Sequence, residues 1–371
     1  MQILKNFSIL IIPLVLIELL FSIYFFISGN IYGIIFKLFS KSKINQQIEY
    51  QLNWDKNNKL VPGNYVHKFL DKEVPYKINK QGFRGDDFVI EKHKNRILVF
   101  GGSSTMGAES LEKNTYPKLL ENILNKNNIN SEVYNFGLSG KSLNFIRKIF
   151  YTEAIDYNPD LIIINSNRNS IIYDSINVNT STREANHHFL KLIYFLDENI
   201  MTYRFLNKAF KKLRNYKNYD EFLVSPYNDK QKHLKSYFTD KYIDILNELV
   251  FFCKKNGIKV MLVKQPININ FDVQLKIKNE KRDNLLKKLE NYKKENFFEL
   301  DYEDAFIIIT TTILNNNLNY FKNYENVSVV DAIDNEMLKE DNFFDHLHLT
   351  PSGNSILANK IAKTYFEQIN D

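Results

Sequence analysis

The chain has 371 residues, of which 44% are hydrophobic and 25% charged, and its formal net charge is +6. This balance is typical of a folded globular protein and excludes a wholly disordered chain. The basic residues are scattered among acidic and apolar ones, so they form no nucleic-acid footprint, and we expect no nucleic-acid partner. The single cysteine, Cys253, excludes an intramolecular disulfide and a multi-cysteine zinc site. It lies on the apolar side of a helical pattern, which predicts a buried structural thiol.

An apolar run near the N-terminus, residues 7–27, is interrupted only by Glu18. It has about the length that a helix needs to cross the hydrocarbon core of a bilayer. A cleaved signal peptide is the main alternative, but no Ala-x-Ala-like site follows the run. A buried core helix is a weaker alternative, because the segment is apolar on every face. We therefore predict an uncleaved membrane anchor within residues 1–45.

Lysines flank this segment on both sides and give a mixed signal for its orientation in the membrane. Lys5 precedes the run, and three lysines follow it, namely Lys37, Lys41 and Lys43. We expect a single-pass membrane protein with an extracytoplasmic catalytic domain, although the flanking charges leave the orientation open.

The predicted elements then follow in chain order, after a polar and irregular lead-in segment over 46–94. Strands are predicted over 96–101, 132–136, 161–164, 259–264 and 327–331, where short apolar runs occur. Helical spacing predicts helices over 115–126, 143–154 and 241–256, and a last helix from 350 onward. Alternation of strands and helices favours a parallel sheet with helices on both faces, whose active site lies beyond the carboxyl ends of the strands.

Polar residues mark several helix ends. Thr115 is a plausible N-cap with Pro117 in the first turn, Gly257 ends the helix over 241–256, and Thr350 caps the last helix. An insertion is predicted near 171–240, and its core at 187–213 reads as a basic amphipathic helix that packs on the domain or lies near the bilayer.

A glycine- and serine-rich turn follows the first predicted strand, where residues 101–107 read Gly-Gly-Ser-Ser-Thr-Met-Gly. A serine in such a turn is exposed at a strand end, and the glycines allow close approach of a substrate. The segment lacks the Gly-Lys-Ser/Thr of a phosphate-binding loop and the spacing of a dinucleotide fingerprint. Ser103 is therefore the candidate nucleophile, and Ser104 is the alternative.

A second polar segment, residues 345–348, reads Asp-His-Leu-His just before the last helix. A serine nucleophile needs a histidine base, and the histidine needs a carboxylate that fixes its tautomer. Asp345 and His348 can form that pair locally. Ordinary surface polarity is one alternative. Metal binding by His346 and His348 is another, which we rank lower because the sequence shows no further ligand cluster.

Together these segments resemble the SGNH, or GDSL-like, hydrolase family. The first block of that family is Gly-Asp-Ser with a glycine four residues later, and Ser103 with Gly107 is similar to it. Residues 135–140, Asn-Phe-Gly-Leu-Ser-Gly, resemble the second block, and residues 167–170, Asn-Arg-Asn-Ser, resemble the third. The last block, Asp-x-x-His followed by Leu-Thr-Pro-x-Gly, corresponds to 345–353.

The resemblance covers residues 95–369, and residues 77–88 resemble a lead-in found before this domain in some membrane-associated members. Two blocks depart from the family pattern. Gly102 replaces the aspartate of the first block, and in the third block Asn167 replaces glycine and Ser170 replaces aspartate. The third-block changes put the shape of that loop in doubt, whereas the asparagine that corresponds to the family's oxyanion donor, Asn169, is present.

The resemblance implies a three-layer α/β/α, flavodoxin-like fold with a parallel sheet over 95–371. It implies a catalytic triad of Ser103, Asp345 and His348, with an oxyanion hole formed by Ser103, Gly140 and Asn169. It also implies a serine esterase acting on acylated small molecules or glycans, with O-acetyl groups as the expected acyl group and no cofactor or metal. Two alternatives remain open: a polysaccharide O-acyltransferase with the same triad, and a degenerate glycan-binding or assembly subunit.

Overall fold

Short β-strands lie at the centre of the fold. The computed structural model describes residues 59–69, 72–165, 168–173, 200, 241–291, 300 and 302–370. The described strands are β1 (Gly63–Phe69), β2 (Lys72–Ile78), β3 (Asn95–Gly101), β4 (Ser131–Gly137), β5 (Leu161–Asn165), β6 (Lys259–Val263) and β7 (Val327–Val330). Each strand predicted from an apolar run is present, with bounds that differ by at most one residue at each end.

Strands β3 to β7 form a parallel five-stranded sheet in the order β4-β3-β5-β6-β7. Numbered within the sheet, this is the 2-1-3-4-5 order of flavodoxin-like proteins. The expected α/β class and its parallel sheet are therefore confirmed. The strand order reverses at β3, because β4 lies on one side of it and β5 on the other. In sheets of this kind a crevice opens at the reversal, beyond the carboxyl ends of the strands.

The helices pack on the two faces of this sheet. The described α-helices are α1 (Ser103–Met106), α2 (Tyr116–Lys126), α3 (Leu143–Thr152), α4 (Arg168–Tyr173), α5 (Tyr242–Lys255), α6 (Phe271–Ile277), α7 (Arg282–Glu290), α8 (Tyr302–Asn317) and α9 (Pro351–Asn370). The sequence pattern did not indicate α4, α6, α7 or α8, and it predicted a turn where the short helix α1 lies. None of the helices within the described residues is long and apolar enough to cross a bilayer.

Alternate residues of the strands face opposite layers because side chains alternate along a strand. Ile97 and Val99 join one core with the apolar faces of α2 and α9. On the other face, the ring of Phe100 lies 6.2 Å from that of Phe150 on α3, which in turn lies 5.7 Å from Phe252 on α5. Both faces of the sheet are thus covered, as the apolar, non-alternating strand sequences require. Cys253 is fully buried within α5, and burial raises the pKa of its thiol, as expected of a structural cysteine.

The described part of the predicted lead-in segment, residues 59–69 and 72–94, is more ordered than the polar and irregular sequence indicated. β1 and β2 form an antiparallel hairpin, in which Gly63 pairs with Ile78. After the hairpin, Phe83 and Phe88 are buried against the ring of Phe136 on β4, at centroid distances of 4.6 and 4.8 Å. The polar composition gave no signal for the hairpin, because in β2 the buried residues alternate with exposed polar ones.

The predicted helix ends have mixed outcomes. Gly257 follows α5 with a left-handed φ of +68°, and the Thr350 hydroxyl accepts a hydrogen bond from the Gly353 N–H at 3.3 Å. Thr115 is the N-cap residue of α2, as predicted, but its side chain makes no capping hydrogen bond, because its hydroxyl donates instead to the Glu112 carbonyl at 2.8 Å. The predicted anchor at 7–27 and amphipathic helix at 187–213 lie outside the described residues.

Candidate active site

Ser103 lies where β3 ends and the short helix α1 begins. As the first residue of α1, it has a backbone N–H that a helix leaves without an internal partner. Gly107 ends the helix with a φ of +66°, a left-handed conformation in which its N–H donates to the Ser103 carbonyl at 2.7 Å. The Ser103 side chain is half-buried at this turn.

Gly102 has no side chain, so Asn169 packs directly against its backbone. A Cβ atom built at position 102 would overlap the Asn169 amide nitrogen. The same nitrogen donates a hydrogen bond of 3.0 Å to the Lys141 carbonyl. Asn169 therefore links the turn after β3 to the turn after β4. The absence of a side chain at position 102, where the first block of the family that the sequence resembles has aspartate, is what makes this contact fit.

Gly140 lies in the turn that follows β4. Its φ of +69° is left-handed, and the Lys141 N–H donates to the Leu138 carbonyl across the turn at 3.3 Å. The Leu138 N–H donates to the Gly101 carbonyl at 3.1 Å, so the turn is attached to the end of β3. The structure therefore brings Gly140 and Asn169 to the same sheet edge as Ser103.

Asp345 and His348 lie together on the loop before α9. Asp345 Oδ2 lies 2.7 Å from Nδ1 of His348, and its Oδ1 accepts hydrogen bonds of 2.8 Å from the N–H groups of Leu347 and His348. The loop is closed by the Phe344 N–H, which donates to the His348 carbonyl at 2.8 Å. A carboxylate in this position fixes the proton of His348 on Nδ1 and leaves Nε2 as the basic nitrogen.

The electrostatics of this pair favour an ionised carboxylate beside a basic imidazole. Burial alone would raise the pKa of Asp345, but its hydrogen bonds with the His348 ring and with two backbone N–H groups hold the pKa well below its usual range. Burial likewise disfavours the charged form of His348, yet the hydrogen bond that its ring donates to Asp345 and the negative charges of Glu109 and Asp345 outweigh it and raise the pKa of His348.

A hydrogen bond connects the serine turn with the histidine loop. The Ser104 hydroxyl donates to the Leu347 carbonyl at 3.2 Å, which places the residue after Ser103 against the residue before His348. Ser104, the alternative nucleophile, is buried and engaged in this contact. Nε2 of His348 is itself buried, and none of the described residues provides it with a hydrogen-bond partner.

Three residues near the site were not singled out in the sequence. Glu109 follows α1, and its Oε1 lies 3.6 Å from Nε2 of His348 and 4.0 Å from Nε2 of His67 on β1. Buried Arg84 donates hydrogen bonds to the carbonyls of Met106, Gly107 and Ser110, the first at 3.2 Å. The only signal for Arg84 was the lead-in pattern over 77–88, and no signal pointed to Glu109 or His67.

The altered third block has a structural explanation at one of its two changed positions. Ser170 is fully buried, and its hydroxyl accepts a hydrogen bond of 2.9 Å from the Leu143 N–H at the start of α3. An N–H of the first turn, which has no partner inside the helix, is thereby satisfied. Asn167 lies outside the described residues.

No family model and no curated protein matches this chain. Similar solved structures include a member of the lipolytic G-D-S-L family from Veillonella parvula, at 11% identity over 73% of this chain and 98% of that one, with a TM-score of 0.39. A GDSL-like lipase from Bacteroides thetaiotaomicron matches at 14% identity over 74% and 88%, with a TM-score of 0.36. An acetyl xylan esterase from Geobacillus stearothermophilus matches at 14% identity over 76% and 97%, with a TM-score of 0.39. These likenesses are remote.

Proposed function

We propose that this chain is a serine esterase that cleaves acyl esters through an acyl-serine intermediate, with Ser103 as nucleophile, His348 as base and Asp345 as its carboxylate partner. The observation that carries the proposal is the Asp345–His348 hydrogen bond of 2.7 Å, on a loop attached to the serine turn through Ser104. A carboxylate on Nδ1 leaves Nε2 as the basic nitrogen, which a base for Ser103 requires. None of the described residues, Ser103 included, hydrogen-bonds Nε2 in this structure, so no other group occupies the position that the Ser103 hydroxyl takes in the proposed reaction.

In the proposed reaction the Ser103 hydroxyl attacks the ester carbonyl carbon while its proton passes to Nε2 of His348. The tetrahedral intermediate then expels the alcohol, which takes that proton from Nε2. Water attacks the acyl-serine in the same way, with His348 accepting its proton, and the acid leaves as Ser103 is regenerated. Asp345 stays ionised throughout, consistent with the lowered pKa of its carboxyl group.

Three N–H groups are the proposed donors to the oxyanion: the backbone N–H groups of Ser103 and Gly140 and the side-chain amide of Asn169. The Asn169 amide has two protons, and its hydrogen bond to the Lys141 carbonyl holds it against Gly102. Donors fixed in this way stabilise developing charge without reorganisation, and loss of one such donor typically lowers turnover by a factor on the order of 10²–10³.

The test is hydrolysis of p-nitrophenyl acetate by the full chain, together with labelling by a fluorophosphonate probe. We expect Ser103→Ala to abolish both signals, because the probe reacts only with an activated serine. Ser104→Ala removes the alternative nucleophile and should keep both signals, at a reduced rate because it also removes the hydrogen bond to the Leu347 carbonyl. A Ser103→Ala protein that hydrolyses the ester at the parental rate would refute the proposed nucleophile, and an unlabelled wild-type protein would favour a degenerate binding subunit.

The apolar N-terminal run also bears on the substrate of the proposed esterase. We infer an O-acetylated glycan of the cell envelope as substrate, because residues 7–27 are apolar enough to anchor the chain at a membrane. A polysaccharide O-acyltransferase would use the same residues, with a sugar hydroxyl in place of water. Comparison of acetate release with formation of acetylated glycan distinguishes the two reactions.

A further inference from the structure

A second carboxylate lies beside the histidine of the candidate site. The Glu109 side chain is only 4% exposed, and its Oε1 is 3.6 Å from Nε2 of His348. On the other side of the ring, Nδ1 of His348 is hydrogen-bonded to Asp345. The imidazole therefore has a carboxyl group next to each of its nitrogens, whereas the proposed triad accounts only for the one on Nδ1.

We propose that Glu109 is a positioning residue that acts through His348, by stabilising the imidazolium that forms when Nε2 takes the proton of Ser103. This inference rests on the proposed function. The proton moves from Ser103 to Nε2 and from Nε2 to the leaving alcohol, and Glu109 neither donates nor accepts it. Its negative charge makes Nε2 a stronger base and orients the ring during each transfer.

The charges around Glu109 support a role directed at His348. The groups that face it are His67 from β1, Tyr76 from β2, Arg84 after the hairpin, and Asp345 and His348 from the loop before α9. Burial raises the pKa of Glu109, and the positive charge of His348 opposes that effect. Burial, together with the charges of His348 and Arg84, lowers the pKa of His67, which favours its neutral form. The protonated partner of Glu109 is therefore His348.

Ordinary structural stabilisation does not explain this burial well. A buried carboxylate is costly unless it is paired and hydrogen-bonded. A hydrogen bond with its own backbone N–H lowers the pKa of the Glu109 carboxyl group, but burial outweighs it. Among the described residues, the side chains within ion-pair distance of Glu109 are those of His67 and His348, and no lysine or arginine lies that close. The unfavourable position of Glu109 is accounted for if its charge is used when His348 becomes protonated.

The experiment measures kcat/KM for p-nitrophenyl acetate against pH, in the full chain and in Glu109→Gln. The acid limb of this profile reports the pKa of the free base, and removal of a neighbouring negative charge lowers that pKa. We expect the limb to move about one pH unit lower and the plateau to fall roughly tenfold. Glu112→Gln is the matched control, since it removes a charge on the same segment, beside Arg84, and should keep the parental limb.

A second variant, Glu109→Asp, keeps the charge but moves it away from Nε2 and should give an intermediate shift. It also provides the test if circular dichroism shows that Glu109→Gln does not fold. An active, probe-labelled wild-type protein whose acid limb is unchanged in the folded variants overturns the role of Glu109 and leaves the esterase proposal intact. A wild-type protein that neither hydrolyses the ester nor reacts with the probe overturns the esterase proposal itself.

Discussion

At the scale of single residues, Gly102 is the position where a small change should have the clearest effect. A methyl group there would overlap the Asn169 amide nitrogen and push it off the Lys141 carbonyl. The displaced amide would no longer reach the oxyanion, so Gly102→Ala should lower kcat by a factor on the order of 10². KM should change little, because the lost interaction forms in the transition state. Steady-state kinetics with p-nitrophenyl acetate measure both constants.

A double-mutant cycle provides the control for this prediction. In an Asn169→Ala background the amide is already absent, so adding Gly102→Ala should cause no further loss of kcat. An equal loss in both backgrounds would mean that position 102 acts through something other than Asn169, and the explanation for its glycine would fail.

Sequence patterns pointed to those residues of the candidate site whose partners lie close to them in the chain. Asp345 and His348 form their hydrogen bond within one loop, and Ser103 lies in a turn whose glycines are visible in the sequence. Glu109 could not be found this way, since its significance depends on contacts with residues that are distant in the chain, His67 and His348. Nothing in the local sequence around position 109 records those contacts.

At the scale of secondary-structure elements, Arg84 attaches the hairpin segment to the loop after α1. Its guanidinium donates to the carbonyls of Met106, Gly107 and Ser110, and burial lowers its pKa to about 10. Arg84→Ala would leave the carbonyls of Met106 and Ser110 without this donor, each at a cost of about 1–3 kcal/mol when no water replaces it, whereas the Gly107 carbonyl keeps the Ser110 N–H. We expect a loss of about 3 kcal/mol in the free energy of unfolding, measured by urea denaturation.

The control for this loss is Arg282→Ala, at the start of α7. Its side chain is 36% exposed and its ion-pair partner, Asp283, is 76% exposed, so this substitution should change stability by less than about 0.5 kcal/mol. If both variants lost the same stability, the removal of a positive charge would explain the result and the carbonyl contacts would not.

The amino-acid sequence of β2 explains why the hairpin was not predicted within the lead-in segment. In β2 the buried residues are Val74, Tyr76 and Ile78, which alternate with exposed polar residues and with Pro75. A proline within a short run argues against a strand, and only an edge or hairpin strand accommodates it. The parallel strands gave a stronger signal, because they are apolar on both faces and need no alternation to be recognised.

At the scale of the whole molecule, the strand order explains how separated motifs meet. Ser103 follows β3, Gly140 follows β4 and Asn169 follows β5, and these three strands are neighbours in the sheet. Parallel strands present their carboxyl ends at one edge, so these residues converge there. The apolar runs predicted a parallel sheet, but the 2-1-3-4-5 order depends on contacts between strands that no single run encodes.

The apolar run over residues 7–27 determines where in the cell we expect to find the chain. If residues 7–27 form an uncleaved anchor, the full chain should stay in the membrane fraction after a carbonate wash, because a continuous apolar segment of this length partitions into the bilayer core. A variant that lacks 7–27 should move to the soluble fraction and keep its reaction with a fluorophosphonate probe, since the candidate site lies in residues 95–371. Mass spectrometry of the N-terminus separates this result from signal-peptide cleavage, which would leave a mature chain without the segment. A deletion variant that remains membrane-bound would instead place the attachment elsewhere in the chain.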